Sequence, residues 1–261
     1  MNLNLKNLKN KVYTFTPKVL YKNSGELPFD LLKRLQNYYS SSFFHLGNLD
    51  AFAEGIMVFM PAKYRFLERL LKKLPKEYEV HILFGFKTDT HDLLGIPSKP
   101  LVNKDSNERE LLNNLKKFLE EYSKKEFQTP PKVSYKNLSS LKKLQTFKEK
   151  GVKALPVLSK KPVKMHSFKI TKTYFINKKD LLLYIKSTSK KITKDYRQKD
   201  ILEEYTSLYT SFPDKFFIVV LNVKVSSGFY VRALVRDLSE NLKYSAVTYK
   251  IIRKSLGFWR I

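Results

Sequence analysis

Asp50 lies in the stretch His45-Leu46-Gly47-Asn48-Leu49-Asp50-Ala51-Phe52-Ala53-Glu54-Gly55, which runs into the apolar segment Ile56-Met57-Val58-Phe59. Gly47-Asn48 and Gly55 permit tight turns on both sides of a single carboxylate, and the apolar run reads as a buried strand. An acid held there can act as a nucleophile or remove a proton. Taken alone, it reads first as the cap of a turn, because Asp is common at loop and helix starts. Tyr230 and Arg232 stand two positions apart after Gly228, so they share a face only if the chain stays extended there before a helix begins. Arg carries a fixed fork that matches a carboxylate, which Lys cannot copy. Singly, each has an ordinary reading: Tyr78 as a core strand aromatic, Tyr230 as packing at a helix start, and Arg232 as a solvated charge.

Four segments in order carry a more specific signal. The first is the Asp50 stretch. The second is Tyr78-Glu79-Val80 with Gly85-Phe86-Lys87-Thr88-Asp89-Thr90-His91-Asp92 and Gly95. The third is Gln128-Thr129-Pro130-Pro131, and the fourth is Gly228-Phe229-Tyr230-Val231-Arg232-Ala233-Leu234-Val235-Arg236-Asp237-Leu238. Together they resemble the motifs of the TruB-type tRNA pseudouridine synthases, in the family's order.

The resemblance implies that Asp50 is the catalytic residue, that Tyr78 stacks on a flipped base, and that Tyr230 sits near the base and takes the proton from carbon five. Arg232 would pair with Asp50 through a bidentate fork and aim its oxygens. Isomerising uridine breaks the glycosidic bond, rotates the base and rejoins it through carbon five. Attack on the sugar, attack on the base and removal of a sugar proton all remain open for Asp50. The target must leave its stack, so aromatic surface is expected near the acid. Ile251, in Ile251-Ile252-Arg253-Lys254-Ser255-Leu256-Gly257-Phe258-Trp259, would wall the base pocket, with Arg253 beside it on the RNA side; the rival reading is a plain edge strand. His45 would enter the nucleic-acid groove. The family's pattern is broken at Phe44, Leu46, Ala51, Val133 and Phe229, which alters loop stiffness and hydroxyl contacts but spares Asp50, Tyr78, Tyr230 and Arg232.

The net charge of +26 points to a polyanionic partner, although 41 Lys against 9 Arg makes bulk lysine weak evidence. Placement is more telling: residues 124–164 hold 12 Lys and 2 Glu. Lys132, Lys136, Lys142 and Lys143 are therefore expected on an RNA-gripping insertion, with the tRNA T-arm as partner. Zero cysteines exclude disulfides and thiolate metal sites, and His45, His81, His91 and His166 show no paired ligand spacing, so neither metal nor cofactor is expected. No apolar run has the length to cross a bilayer, and the start lacks a signal peptide's apolar segment. A cytoplasmic, monomeric protein is expected.

The elements that must position these groups follow from periodicity. Val19-Leu20-Tyr21 reads as a strand; Leu31, Leu32, Leu35 and Tyr38 mark a helix from Pro28. Leu67, Leu70, Leu71 and Leu74 suggest a helix with one apolar face. Tyr78, Val80, Ile82, Phe84 and Phe86 alternate as a strand. A helix over Leu111 to Tyr122 starts near Asp105 or Ser106, and another spans 139–150 in the insertion. Phe168, Ile170, Tyr174 and Ile176 fall on one side of a further strand, interrupted by Lys172. A helical connection is expected over 178–213, then a strand over 216–225 and a helix carrying Val231, Leu234, Val235, Leu238 and Leu242. The fold expected is α/β (α+β): a pseudouridine-synthase-like mixed, mostly antiparallel sheet flanked by helices, with a protruding basic insertion over 124–164. One catalytic domain over 1–261 is expected, without the small C-terminal PUA module of many relatives. The readings carried forward are an isomerase acting on the tRNA T-arm uridine, a noncatalytic RNA-binding or RNA-folding protein on the same scaffold, or a pseudouridine synthase with another RNA target.

Overall fold

The computed structural model describes residues 14–100, 107–133, 141–192 and 195–261. In chain order its elements are β1 (Lys18–Lys22), α1 (Pro28–Tyr38), β2 (Phe43–His45), β3 (Glu54–Pro61), α2 (Glu68–Leu71), β4 (Lys76–Phe84) and α3 (Glu108–Tyr122). Then come β5 (Phe127–Gln128), α4 (Leu141–Lys150), β6 (Lys161–Pro162), β7 (Met165–Asn177), α5 (Lys178–Lys191), α6 (Gln198–Ser207), β8 (Lys215–Val225), α7 (Val231–Asn241), β9 (Ala246–Leu256) and β10 (Trp259–Arg260).

The sheet runs β1-β3-β9-β4-β8-β7, with β2 joined to β3 and β10 to β9. Pairing is antiparallel except where β3 meets β9, at Glu54 with Ile252 and Gly55 with Arg253. Strand β9, which carries Ile251, is therefore no edge strand, since it has β3 on one side and β4 on the other. Gly55 makes the close approach possible: its φ is 116°, and a Cβ there would lie 2.4 Å from the Arg253 carbonyl oxygen.

One face of the sheet is covered by α1, α3 and α7. Pro28 opens α1, where its missing N–H has no helical partner to lose, and Leu31 and Leu35 turn inward. Helix α3 is capped by Asn107, whose Oδ1 accepts the Arg109 N–H at 3.0 Å. That cap falls one or two residues beyond the expected Asp105 or Ser106, which lie outside the described residues. Leu115, Phe118, Leu234 and Leu238 meet Val80, Ile82, Val219 and Leu221 in the larger core. Each such side chain contributes about 1.5–3 kcal/mol on burial. The other face is covered by α5 and α6, where Leu181, Ile185, Ile201 and Tyr205 pack on Leu83, Phe216, Ile218 and Val247.

Three expectations fail for local reasons. Strand β4 ends at Phe84, and after Gly85, with φ 130°, Phe86 joins the α5–α6 side and not the side of Val80, Ile82 and Phe84. Strand β7 carries an irregularity between Ile170 and Lys172, so one extra residue reverses the alternation. Phe168 and Ile170 then face the larger core, whereas Tyr174 and Ile176 face the α5–α6 side. The segment after β3 forms a 3-10 turn at Ala62–Leu67 and only one turn of α2, so Leu71 and Leu74 pack inward while Leu70 stays exposed. The short β5–β6 pair stands at the two ends of the basic insertion.

Candidate active site

Asp50 sits in the loop between β2 and β3, and that loop is braced from both sides. Lys22 Nζ donates to the carbonyls of Ala51 at 3.1 Å and Ala53 at 2.5 Å. Ser24 Oγ donates to Phe52 O at 2.8 Å, and the Gly25 N–H to Ala51 O at 2.8 Å. Three successive carbonyls after Asp50 are thereby held. Lys22 is fully buried, and burial pushes its ammonium down to about 7. From the other side Arg253 donates through Nε to Ile56 O at 2.8 Å and through Nη1 to Asn48 O at 3.3 Å. Arg253 was expected on the RNA side, but it is only 1% exposed and acts as a brace of the acid's loop.

Arg232 reaches Asp50, but not as the bidentate fork expected. Its Nη2 donates to Asp50 Oδ2 at 2.6 Å, while Nη1 donates to Asp92 Oδ2 at 2.8 Å and to Thr90 O at 3.2 Å. The guanidinium is divided between two carboxylates because the Thr90–Leu94 turn brings Asp92 beneath α7. Asp92 Oδ1 accepts from Thr90 Oγ1 at 3.0 Å and from the Leu94 N–H at 2.9 Å. Burial pushes Asp92 up to about 6, opposed by Arg232 and aided by the charge of Asp50. Arg232 itself is held above its ordinary value: burial opposes its charge, and Asp50 and Asp92 more than offset that. With side-chain exposures of 3% for Arg232 and 26% for Asp50, the cation is sealed while the acid is partly exposed.

Tyr230 is the N-cap of α7 in an extended conformation, φ −109° and ψ 112°, and Arg232 is the second helical residue. Gln128 fixes it there: the Tyr230 N–H donates to Gln128 Oε1 at 2.7 Å, and Gln128 Nε2 donates to Tyr230 O at 2.9 Å. Burial, then the charge of Asp50, raises the Tyr230 phenol above its ordinary value, which keeps it protonated at neutral pH.

Asp50, Tyr78, Tyr230, Arg232, Ile251, Arg253 and His45 line one cavity of about 400 Å³. Tyr78 comes from β4, Ile251 from the middle of β9, and the acid from the β2–β3 loop, so the hollow forms where elements distant in the chain converge. Burial, with Lys72 and Arg253 nearby, lowers His45, so its imidazole is neutral in ordinary buffer. Lys132 donates to Lys153 O at 3.5 Å, away from this wall. Lys136 lies outside the described residues; Lys142 and Lys143 lie on α4, in a part whose side chains are outside them. Among the described residues, no three or more His, Asp or Glu side chains gather closely enough to hold a metal ion. The sequence motifs by themselves give no role to Lys22, Asp92 or Gln128. Asp92 and Gln128 were inside matched segments, but only the folded chain shows what they touch; Lys22 carried no signal beyond being one lysine among many.

The family model for the TruB family pseudouridylate synthase N-terminal domain matches residues 40–191. The tRNA pseudouridine synthase B of Borreliella burgdorferi (strain ZS7) is 25% identical over 247 residues, covering 93% of this chain and 70% of that protein. The same-named protein of Fusobacterium nucleatum subsp. nucleatum is 25% identical over 240 residues, 92% of this chain and 67% of that one. Among solved structures, a Cbf5-Nop10-Gar1 complex matches with a TM-score of 0.54 and 14% identity over 99% of this chain. An H/ACA RNP bound to a substrate RNA containing 2′-deoxyuridine matches with a TM-score of 0.52 and 12% identity, again over 99% of the chain. The chain spans 57% and 56% of those two chains, so they speak to the fold alone. No helix among the described residues is long and apolar enough to cross a membrane.

Proposed function

The chain belongs to the TruB family of pseudouridylate synthases, a family of isomerases, and from that premise we propose that it converts the T-arm uridine of tRNA to pseudouridine with Asp50 as the essential group. The observation that carries the reading is the shared wall of one cavity: a partly exposed acid, gripped by Arg232, lines it together with Tyr78, Tyr230 and Ile251. Tyr78 and Ile251 supply the flat and apolar surfaces that a uracil ring needs once it has left its stack. The reaction breaks the bond from N1 to the sugar, forms one from carbon five to the sugar, and in net moves the carbon-five proton to N1. No electrons enter or leave, and a positioned carboxylate suffices whether it attacks sugar or base or removes a sugar proton. Because Tyr230 stays protonated, it accepts the carbon-five proton only as it hands its own onward. The lysines of the insertion supply the phosphate grip, and a monomer acting in the cytoplasm is sufficient.

The test is pseudouridine formation on an unmodified tRNA transcript, wild type beside Asp50→Ala. The wild type is expected to modify one T-arm uridine and the variant none; equal activity in both refutes the role of Asp50.

A further inference from the structure

Arg197 lies in the connection between α5 and α6, and nothing in the chemistry above uses it. Its backbone is left-handed, with φ 68°, a conformation that a residue with a side chain keeps only where its surroundings hold it. Two contacts do so. Arg197 Nη2 donates to Asp89 Oδ2 at 2.8 Å, with the arginine side chain 9% exposed. The guanidinium carbon also lies 4.0 Å from the centre of the Phe147 ring, which belongs to α4 in the basic insertion. The neighbours of Arg197 repeat the pattern: Tyr196 packs against the cluster of Phe147 and Leu155, and Asp195 pairs with Lys148 at 2.5 Å.

On its other side Arg197 meets the turn that serves Arg232. Asp89 Oδ1 accepts the Ile96 N–H at 2.8 Å, which closes the turn, and Thr90 O and Asp92 Oδ2 both accept from Arg232 Nη1. The turn is tightly filled, since a Cβ on Gly95 would lie 2.4 Å from Thr90 Oγ1 and 2.7 Å from Asp89 Oδ1. A small, mainly apolar cavity marks the junction, with Phe147, Tyr196 and Ile201 on one side and Asp50, Asp92 and Arg232 on the other.

We propose that Arg197 is a positioning residue that fastens the basic insertion to the turn behind the Asp50–Arg232 pair, so that RNA gripped by the insertion and the carboxylate that acts on it stay in register. This rests on the function proposed above, but it adds a role for the α5–α6 connection, which none of the four sequence motifs includes. The ring stack governs where α4 sits and therefore RNA affinity. The ion pair governs the turn and therefore the rate.

The experiment uses the full chain and unmodified tRNA, and reads affinity by fluorescence anisotropy, single-turnover rate at saturating enzyme, and thermal melting. Arg197→Ala is expected to weaken binding about 10-fold and slow the single turnover about 10-fold while the chain still melts cooperatively. Arg197→Lys keeps the charge for Asp89 but loses the planar stack, so it should restore the rate and leave affinity low. Phe147→Leu should weaken binding alone, and adding it to Arg197→Ala should weaken binding no further. Asp89→Asn should slow the rate alone, and it carries the test if Arg197→Ala fails to fold. Additive losses from Arg197→Ala and Phe147→Leu, or affinity and rate within two-fold of wild type in Arg197→Ala, would overturn the proposal. A wild type that binds tRNA but forms no pseudouridine overturns the function instead, and the binding results then decide the fastening by themselves.

Discussion

Replacing Arg232 with lysine tests the divided guanidinium most directly. Arg232 makes three hydrogen bonds, two of them to carboxylates at 2.6 and 2.8 Å. One ammonium on a shorter reach cannot bridge Asp50 and Asp92 at once, so at least one charge-assisted bond, worth about 1.5–3 kcal/mol, is lost. The group left without its partner is Asp92, whose side chain is 6% exposed and whose carboxyl is already pushed up to about 6 with Arg232 in place. Breaking a buried pair on one side costs roughly 3–5 kcal/mol, less whatever Asp92 recovers by taking up a proton. Asp50 also loses the group that aims it, and misplacement on the order of 1 Å slows a reaction about 100-fold. Urea melts and single-turnover pseudouridine formation on tRNA measure the two effects separately. The double variant Arg232→Lys/Asp92→Asn removes the orphaned acid, so stability should return while the rate stays low. A single variant within five-fold of the wild-type rate, or a double variant as unstable as the single one, would refute this account of the pair.

Three further outcomes follow from the braces around Asp50 and Tyr230. Lys22→Met keeps the apolar stem but strips the donor from Ala51 O and Ala53 O, which should slow turnover and, in urea melts near pH 10.5, lower stability by about 2–4 kcal/mol. Because the wild-type ammonium sits near 7 when folded and near its ordinary 10.5 when unfolded, the unfolded chain binds the extra proton between those values. Wild-type stability should therefore gain from this group as pH rises from about 7 to 10.5, and Lys22→Met should lose that slope. Gln128→Ala frees the backbone of Tyr230 from both of its amide contacts, so kcat should fall about 10-fold with little change in KM. A larger change in KM than in kcat would show that Gln128 serves RNA binding instead.

Much of the site could be read locally. The glycines around Asp50, the alternation that puts Tyr78 on a core-facing strand, and the Gly228-to-Arg232 stretch are properties of a few consecutive residues, and the fold keeps all of them. Strand β7 resisted because a bulge reverses its alternation, and only pairing with β8 reveals where the extra residue lies. The leucines after β3 resisted for the converse reason: their helical spacing is real, but the chain there forms little helix, and Leu70 stays exposed.

The sequence by itself determined which residue types are present and which can share a face, because alternation, turns and helix starts are set by near neighbours. It therefore determined the acid, the two phenols, and the loop, strand and helix start that carry them. Only the tertiary structure decided that Arg232 serves two acids, that Arg253 is a buried brace, and that Arg197 joins α4 to the Asp89 turn. Those contacts span 140, 197 and 108 positions of chain, and over such separations partners are chosen by how the sheet and its covering helices pack.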